Sequence, residues 1–306
     1  MRSDVDAAQR SEVAALLKRC ASADRHPALP EPQRMAVAQS DLGTEQTRVL
    51  LAYDDADLVG LALLTPVADG STSLHVVVDP ARRTGADDVA FTLTGRALDE
   101  VAALGQVRLW VMRATEADDV EAARHHFTPE RDLLQMRVPL PLPPAIVSAA
   151  RPVTTRPFEP GRDEAGWLDI NNRAFAGHPE QGAWTLEQLH ERLSAAWVDL
   201  EGFLMADDPD GDGLIGSCWT KVVRPADPVV GEIYVISVDP DRAGQGWGRA
   251  LTVAGLEWMA AREVTVGMLY TDVSNTAAVA LYHSVGFTID HVDRAYGRAG
   301  AEPGLI

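Results

Sequence analysis

Residues Val76–Pro80 read VVVDP and residues Ile236–Pro240 read ISVDP, at an offset of 160 positions. In the same register Leu109-Trp110 falls on Leu269-Tyr270, and Phe127-Thr128 falls on Phe287-Thr288. Three matches in one register point to a duplication. A duplication restricts the chain to a fold that can be built twice within 306 residues, each copy large enough to bury its own core. Between the copies lies VPLPLPPAIVSAARPV, from Val138 to Val153, whose prolines at 139, 141, 143 and 144 remove backbone donors and favour an extended chain. The expected organisation is a domain over 1–140, a Pro-rich linker over 141–152 and a second domain over 153–306.

Within the second copy, Gly202–Ala206, Leu214–Val223, Glu232–Val238, Met268–Val273 and Phe287–Val292 read as strands. Trp247–Arg262 has a broad apolar face at Leu251, Ala254, Leu256, Trp258 and Met259 and reads as a helix. Asn275–Ser284 is a shorter helix with Asn275 as its N-cap, and Arg162–Phe175 and Thr185–Ala196 are helices upstream. The first copy repeats the strand, helix, strand, helix, strand order from Leu74 to Val138. The fold class is α/β, a mixed sheet made twice.

With 27 Lys and Arg against 45 Asp and Glu, the formal charge is −18, which argues against a non-specific nucleic-acid partner. An anionic small molecule is still compatible, because backbone dipoles bind phosphate inside an acidic protein. The chain has no apolar run of membrane-spanning length, and its polar start, MRSDVDAAQRSEV, lacks the apolar core of a secretory signal. Cys20 and Cys218 are too few for a disulfide framework or a four-ligand zinc site, so a reducing cytosol is the expected compartment. His125, His126 and His178 lack acidic or thiol partners at ligand spacing, and no metal is expected.

The chemistry concentrates in VDPDRAGQGWGRALTVAGLEWM, from Val238 to Met259. A strand ends, a turn carries Gly244, Gly246 and Gly248, and a helix begins at once. Glycines there let the backbone turn left-handed and let a bulky ligand approach, and successive N–H groups at a helix start can cradle a pyrophosphate. Such a turn would also suit a plain connection. No Lys follows it as in a P-loop, and Asp272 is poorly spaced for the acidic residue of a dinucleotide fold.

The companion segment LYTDVSNTAAVALYHSVGF, from Leu269 to Phe287, places Asn275, Ala278, Tyr282, Gly286 and Phe287 at spacings that resemble the GCN5-related N-acetyltransferase (GNAT) family. That family joins a strand–[QR]-x-x-G-x-[GA]–helix turn to N-x-x-A-x-x-x-Y-x-x-x-G-F. The [QR] position is Ala243 here, with Arg242 displaced by one. The resemblance implies two tandem GNAT-fold domains, each a mixed, mostly antiparallel sheet flanked by helices. It implies acetyl-CoA as the acetyl-donor substrate and a small-molecule amine as acceptor. NNRAFAGHPEQGAWT from Asn171, WTK at Trp219–Lys221 and GEIYVISVDP from Gly231 are similar to tandem members that acetylate the cysteinyl amine of a cysteinylamino-deoxyglucosyl-inositol. Another small amine, or an acyl-CoA sensor without turnover, are the alternatives. A monomer is expected.

Carried onto this sequence, the resemblance assigns roles. Ile236, Ser237 and Val238 meet the pantetheine arm and acetyl carbonyl, with a β-bulge there. Ala243, Gly244, Gln245, Gly246, Trp247, Gly248 and Arg249 hold the pyrophosphate, and Asn275, Thr276, Ala277, Ala278, Val279 and Ala280 lie beside the arm. Glu232 contacts the amine and acts as base; simple alternation places it on one strand face with Tyr234 and Ile236. Tyr282 is the acid for the departing thiolate. Glu45, Glu180, Lys221 and Tyr270 contact the acceptor together with Glu232. The first copy lacks these groups: Gly246 and Gly248 become Ala86 and Asp88, Asn275 becomes Thr115, Tyr282 becomes Ala122 and Glu232 becomes Thr72. It is expected to shape the acceptor cleft without catalysing, with CoA binding near Val76–Val78 weak or absent.

Overall fold

The computed structural model describes residues 5–38, 47–67, 69–83, 88–101, 105–176, 182–209, 211, 213–222 and 229–298. The first part of the chain carries α1 (Ala7–Asp24), α2 (Glu31–Ala38), β1 (Arg48–Asp54), β2 (Asp57–Pro66), β3 (Thr72–Val78), α3 (Val89–Val101), β4 (Val107–Val111), α4 (Glu116–Ala123) and β5 (Thr128–Pro139). Next come α5 (Pro144–Ser148), β6 (Arg156–Pro157), α6 (Glu164–Ala174), α7 (Leu186–Leu193), β7 (Phe203–Asp207), β8 (Leu214–Val222) and β9 (Val230–Val238). The chain continues with α8 (Trp247–Ala260), β10 (Val266–Asp272), α9 (Thr276–Val285) and β11 (Thr288–Arg298). The duplicated order read from the sequence is present in both copies.

Two compact units result, Met1–Asp132 with Val292–Ile306, and Leu133–His291. Neither is one of the sequence halves. In the first unit β1, β2 and β3 are antiparallel neighbours, β3 pairs with β4 in parallel, and residues 294–298 of β11 pair antiparallel with β4. In the second, β6, β7, β8 and β9 are antiparallel neighbours, β9 pairs with β10 in parallel, and residues 133–139 of β5 pair antiparallel with β10. Each sheet is thus closed by the strand that ends the other half. Phe287–Val292, expected as a short strand, runs on to Arg298 because its second part is a full ladder partner of β4. The Pro-rich linker holds a short helix, α5, entered through Pro144 at its first position.

In the second unit α8 packs on one sheet face, close enough that a Cβ at Gly255 would overlap the thiol of Cys218. Cys218 is fully buried, and burial pushes its thiol up to about 12, so it is an inert core residue. The opposite face carries an aromatic core. Phe203 stacks on Trp219 at 4.2 Å and on Phe158 at 4.5 Å, and α6 adds Trp167, whose indole donates to Ser217 Oγ at 2.9 Å. Such ring pairs add roughly 0.5–1.5 kcal/mol each beyond their buried area, so this core holds β7, β8 and β9 as a rigid floor.

Candidate active site

The site begins where β9 leaves β10. Their parallel pairing covers only Val230–Glu232 against Val266–Met268, so from Ile233 onward that edge of β9 has no strand neighbour among the described residues. On the other edge the pairing with β8 continues to Val238. Asp239 donates its amide to Ile215 across that ladder. Backbone groups alternate sides along a strand, so the amides of Ile236 and Val238 point to the open edge.

A bulge is present, but at Tyr234 rather than at Ile236–Val238. Trp219 opposes Val235 while Thr220 opposes Ile233, which leaves Tyr234 as the extra residue. This shift corrects the expected strand face. Glu232 opposes Lys221, Val235 opposes Trp219 and Ser237 opposes Ser217, all on the aromatic face, whereas Ile236 opposes Cys218 on the face covered by α8. Glu232 shares its face with Tyr234 but not with Ile236, because the inserted residue reverses the alternation beyond it.

Past Asp239 the chain makes a single 3-10 turn, Pro240–Arg242, fixed by Asp239. Its carboxylate accepts from the Asp241 amide at 3.0 Å and from the Arg173 guanidinium at 2.9 and 3.1 Å. The hydrogen bond from Arg173 holds the Asp239 carboxyl below its ordinary range. Gly244 and Gly246 then adopt φ of 73° and 86°, the left-handed region that glycine enters without a Cβ penalty. None of the amides of residues 244–249 has an acceptor among the described residues; the first helical bond is from Ala250 to the Gly246 carbonyl. Ala243 does not belong with them, since its amide is spent on the Pro240 carbonyl. Arg242 is neutralised by Asp208, and Arg249 reaches Ser284 Oγ at 3.1 Å. The turn also gains a cation that sequence reading missed. Arg151, from the linker, lies over the Trp247 ring at 3.6 Å and donates to the Gln245 carbonyl at 3.3 Å.

Asn275 caps α9 as expected, its side-chain oxygen accepting from the Ala278 amide at 3.1 Å. Thr276, Ala277 and Ala280 are exposed on that helix, while Ala278 and Val279 are half-buried. Tyr282 is 8% exposed, with its ring edge-on to Phe287 at 5.7 Å, and burial raises its phenol above the ordinary tyrosine range.

Lys221 and Glu232 face each other across the β8–β9 ladder, Nζ to Oε2 at 3.9 Å, with side chains only 7% and 17% exposed. The Lys221 ammonium also sits 4.9 Å from the Trp197 ring and 5.4 Å from that of Tyr234. The structure therefore brings the expected base and one expected acceptor contact into a single charged, aromatic-walled group. Trp197 had no local signal; its role comes from packing against the rings of Trp219 at 5.7 Å and Tyr234 at 4.8 Å. Tyr270 lies on the same sheet face of β10 and accepts a hydrogen bond from Gln135 Nε2 at 2.6 Å. Glu45 and Glu180 lie outside the described residues. Among the described residues no three His, Cys, Asp or Glu side chains are arranged to hold a metal ion, and no helix is long and apolar enough to cross a membrane.

In the first unit the β3–β4 pairing also stops early, at Leu74 opposite Leu109. The start of α3 is occupied, however. Asp88 accepts from the Phe91 amide at 3.0 Å and pairs with Arg124, which holds its carboxyl below the usual range. A carboxylate already fills the place that an anion would take.

Comparison with known proteins agrees with this geometry. Residues 165–287 match the Acetyltransferase (GNAT) family. The mycothiol acetyltransferase of Thermobispora bispora is 43% identical over 291 residues, covering 94% of this chain and 95% of that one. That of Thermomonospora curvata is 44% identical over 292 residues, covering 94% and 93%. A tandem GNAT protein from the clavulanic acid biosynthesis pathway shares the fold with a TM-score of 0.70 at 15% identity, over 99% of this chain and 98% of that one. The duplicated sheet, the glycine turn and the extended identity lead to one conclusion: this chain belongs to the GNAT acetyltransferases and, within them, to the mycothiol acetyltransferase family.

Proposed function

We propose that the second unit transfers the acetyl group of acetyl-CoA to the cysteinyl amine of a cysteinylamino-deoxyglucosyl-inositol, giving mycothiol. The observation that carries this reading is the run of amides at residues 244–249 with no acceptor among the described residues, just beyond an open strand edge and joined through Arg249 and Ser284 to the helix that carries a buried tyrosine. The family identity supplies the acceptor.

The pyrophosphate would lie on the amides of Gly244–Arg249, where the start of α8 adds its dipole and no basic side chain of the motif is required. Asn275–Ala280 would flank the arm. The amides of Ile236 and Val238 would meet the arm and the thioester carbonyl, and would stabilise the oxyanion as it develops. Glu232 takes a proton from the acceptor ammonium, directly or through water. The freed amine forms its bond to the carbonyl carbon, the carbon–sulfur bond breaks, and Tyr282 gives its proton to the departing sulfur. The second proton of the nitrogen, lost as the amide forms, restores Tyr282, and Glu232 releases its own to solvent. Burial keeps Tyr282 protonated throughout the neutral range, so the acid is in the correct form before each turnover. Lys221 balances the charge of Glu232 and, with Tyr270, contacts the polar acceptor. Glu45 and Glu180 are assigned to the same acceptor.

An acyl-CoA sensor would need neither the Glu232–Lys221 pair nor the tyrosine. The test mixes purified protein, acetyl-CoA and the cysteinyl acceptor, and follows the acetylated product by mass spectrometry. Product in which the amide rather than the thioester carries the acetyl group supports the reading. Tight acetyl-CoA binding with no acetylated acceptor would refute it.

A further inference from the structure

Tyr270 is held by a relay that decides which way its hydroxyl can hydrogen-bond. Gln135 stands directly opposite Tyr270 in the β5–β10 register, and Arg137 stands opposite Met268 on the same face. The Gln135 carboxamide nitrogen donates to Tyr270 Oη at 2.6 Å, and its oxygen accepts from Arg137 Nε at 2.9 Å. Arg137 is in turn 3.6 Å from the Asp290 carboxylate. A guanidinium has only donors, so the carboxamide oxygen must face Arg137 and its nitrogen must face the phenol. The reversed amide would set N–H against N–H at Arg137 and lose that bond, while the phenol could turn to donate to the oxygen; the guanidinium alone therefore fixes the orientation. Gln135 is 5% exposed, and in such surroundings an unsatisfied amide is disfavoured strongly enough to hold this orientation. The phenol oxygen therefore accepts from Gln135, and its own hydrogen is directed to some group other than Gln135.

We propose that Gln135, carried on the strand that the first half contributes to the second unit, is a positioning residue that makes Tyr270 a hydrogen-bond donor to an oxygen of the acceptor. This rests on the reading of Tyr270 as an acceptor contact. The group recognised is a sugar or inositol hydroxyl or ether oxygen, or the cysteinyl carbonyl. A polyamine, which offers no oxygen lone pair, leaves the phenol unmatched and is disfavoured.

The test uses the full chain and steady-state kinetics with acetyl-CoA and the cysteinyl acceptor. Tyr270→Phe raises the KM for the acceptor about tenfold and leaves the KM for acetyl-CoA unmoved. Gln135→Glu raises it as much, because the carboxylate keeps Arg137 with one oxygen and takes the phenol hydrogen with the other. Gln135→Met has a smaller, few-fold effect, since the phenol stays able to donate. In the Tyr270→Phe background Gln135→Glu adds nothing. A Gln135 that only supports the fold gives the opposite order, Glu milder than Met, with effects that multiply with Tyr270→Phe; either result overturns the proposal. An unchanged acceptor KM in Tyr270→Phe alone removes the acceptor role of Tyr270 and, with it, the basis of the proposal. Acetyl-CoA KM and the thermal midpoint of each variant report whether it has folded.

Discussion

Replacing Tyr282 by Phe isolates the proton that the mechanism assigns to the leaving sulfur. The ring is 8% exposed and keeps its edge contact with Phe287 in the variant, so packing is preserved. The phenol makes no hydrogen bond to a described residue, so its removal changes folding stability by less than about 0.5 kcal/mol, a shift of the thermal midpoint of about 1–2 °C. A general acid contributes about 10²–10⁴ in rate, which is roughly 3–5 kcal/mol of barrier. The expected outcome is a kcat lower by at least a hundredfold, with acetyl-CoA affinity by calorimetry within about threefold of the parent. The raised phenol also fixes the alkaline side of the profile. The protonated form is the active one, so the wild-type rate holds through the ordinary tyrosine range near pH 10 before it falls. A kcat within threefold of wild type would refute the assignment. A variant that unfolds early would show instead that the hydroxyl supports the fold.

Three other perturbations address the pyrophosphate turn. Gly246→Ala places a Cβ in a left-handed residue with open space around it, so the penalty is conformational, roughly 1–2 kcal/mol, and acetyl-CoA KM rises about tenfold while kcat changes little. Arg151→Ala removes the guanidinium from Trp247 and the Gln245 carbonyl; a rise in acetyl-CoA KM of about threefold to tenfold is expected, and an unchanged KM shows that the turn holds its shape without it. Asp239 has its folded value depressed by Arg173, so its contribution is present above the unfolded value near 4 and is lost as pH falls through the folded one. Binding of acetyl-CoA measured by calorimetry should weaken on that acid side, and Asp239→Asn should flatten the limb.

Much of this was legible because local chemistry and local structure coincide. Glycines at 244 and 246, an N-cap at Asn275 and the apolar face of Leu251, Leu256 and Met259 each act within one turn of themselves, and each stands where the spacing puts it. The strand face of Ile236 was not legible. Strict alternation assumes an unbroken ladder, and the bulge at Tyr234 depends on how β8 and β9 align, a property of two segments at once. Gln135, Arg151 and Trp197 escaped for a related reason. Their partners lie 135, 94 and about two dozen residues away or more, at Tyr270, Gln245 and Lys221, and nothing in their own neighbourhoods marks them. The strand exchange was hidden by the duplication itself, since β5 and β11 have equivalent patterns and either could close either sheet.

That exchange gives a physical reason for the first half to be kept. Asp88 caps the start of its α3 with a carboxylate. Residues 133–139, however, form the ladder that covers the outer edge of β10, from Pro139 opposite Val266 to Leu133 opposite Asp272. Without them β10 would present an unpaired edge beside the site, open to aggregation, and Tyr270 would lose the partner that orients it. Conversely, residues 294–298 leave the second unit to pair with β4, so a fragment beginning at residue 153 would carry a strand with no sheet of its own to join. The two sequence halves are mutually obligatory at the level of backbone hydrogen bonding, and the first, whatever else it does, has to supply one strand and one glutamine.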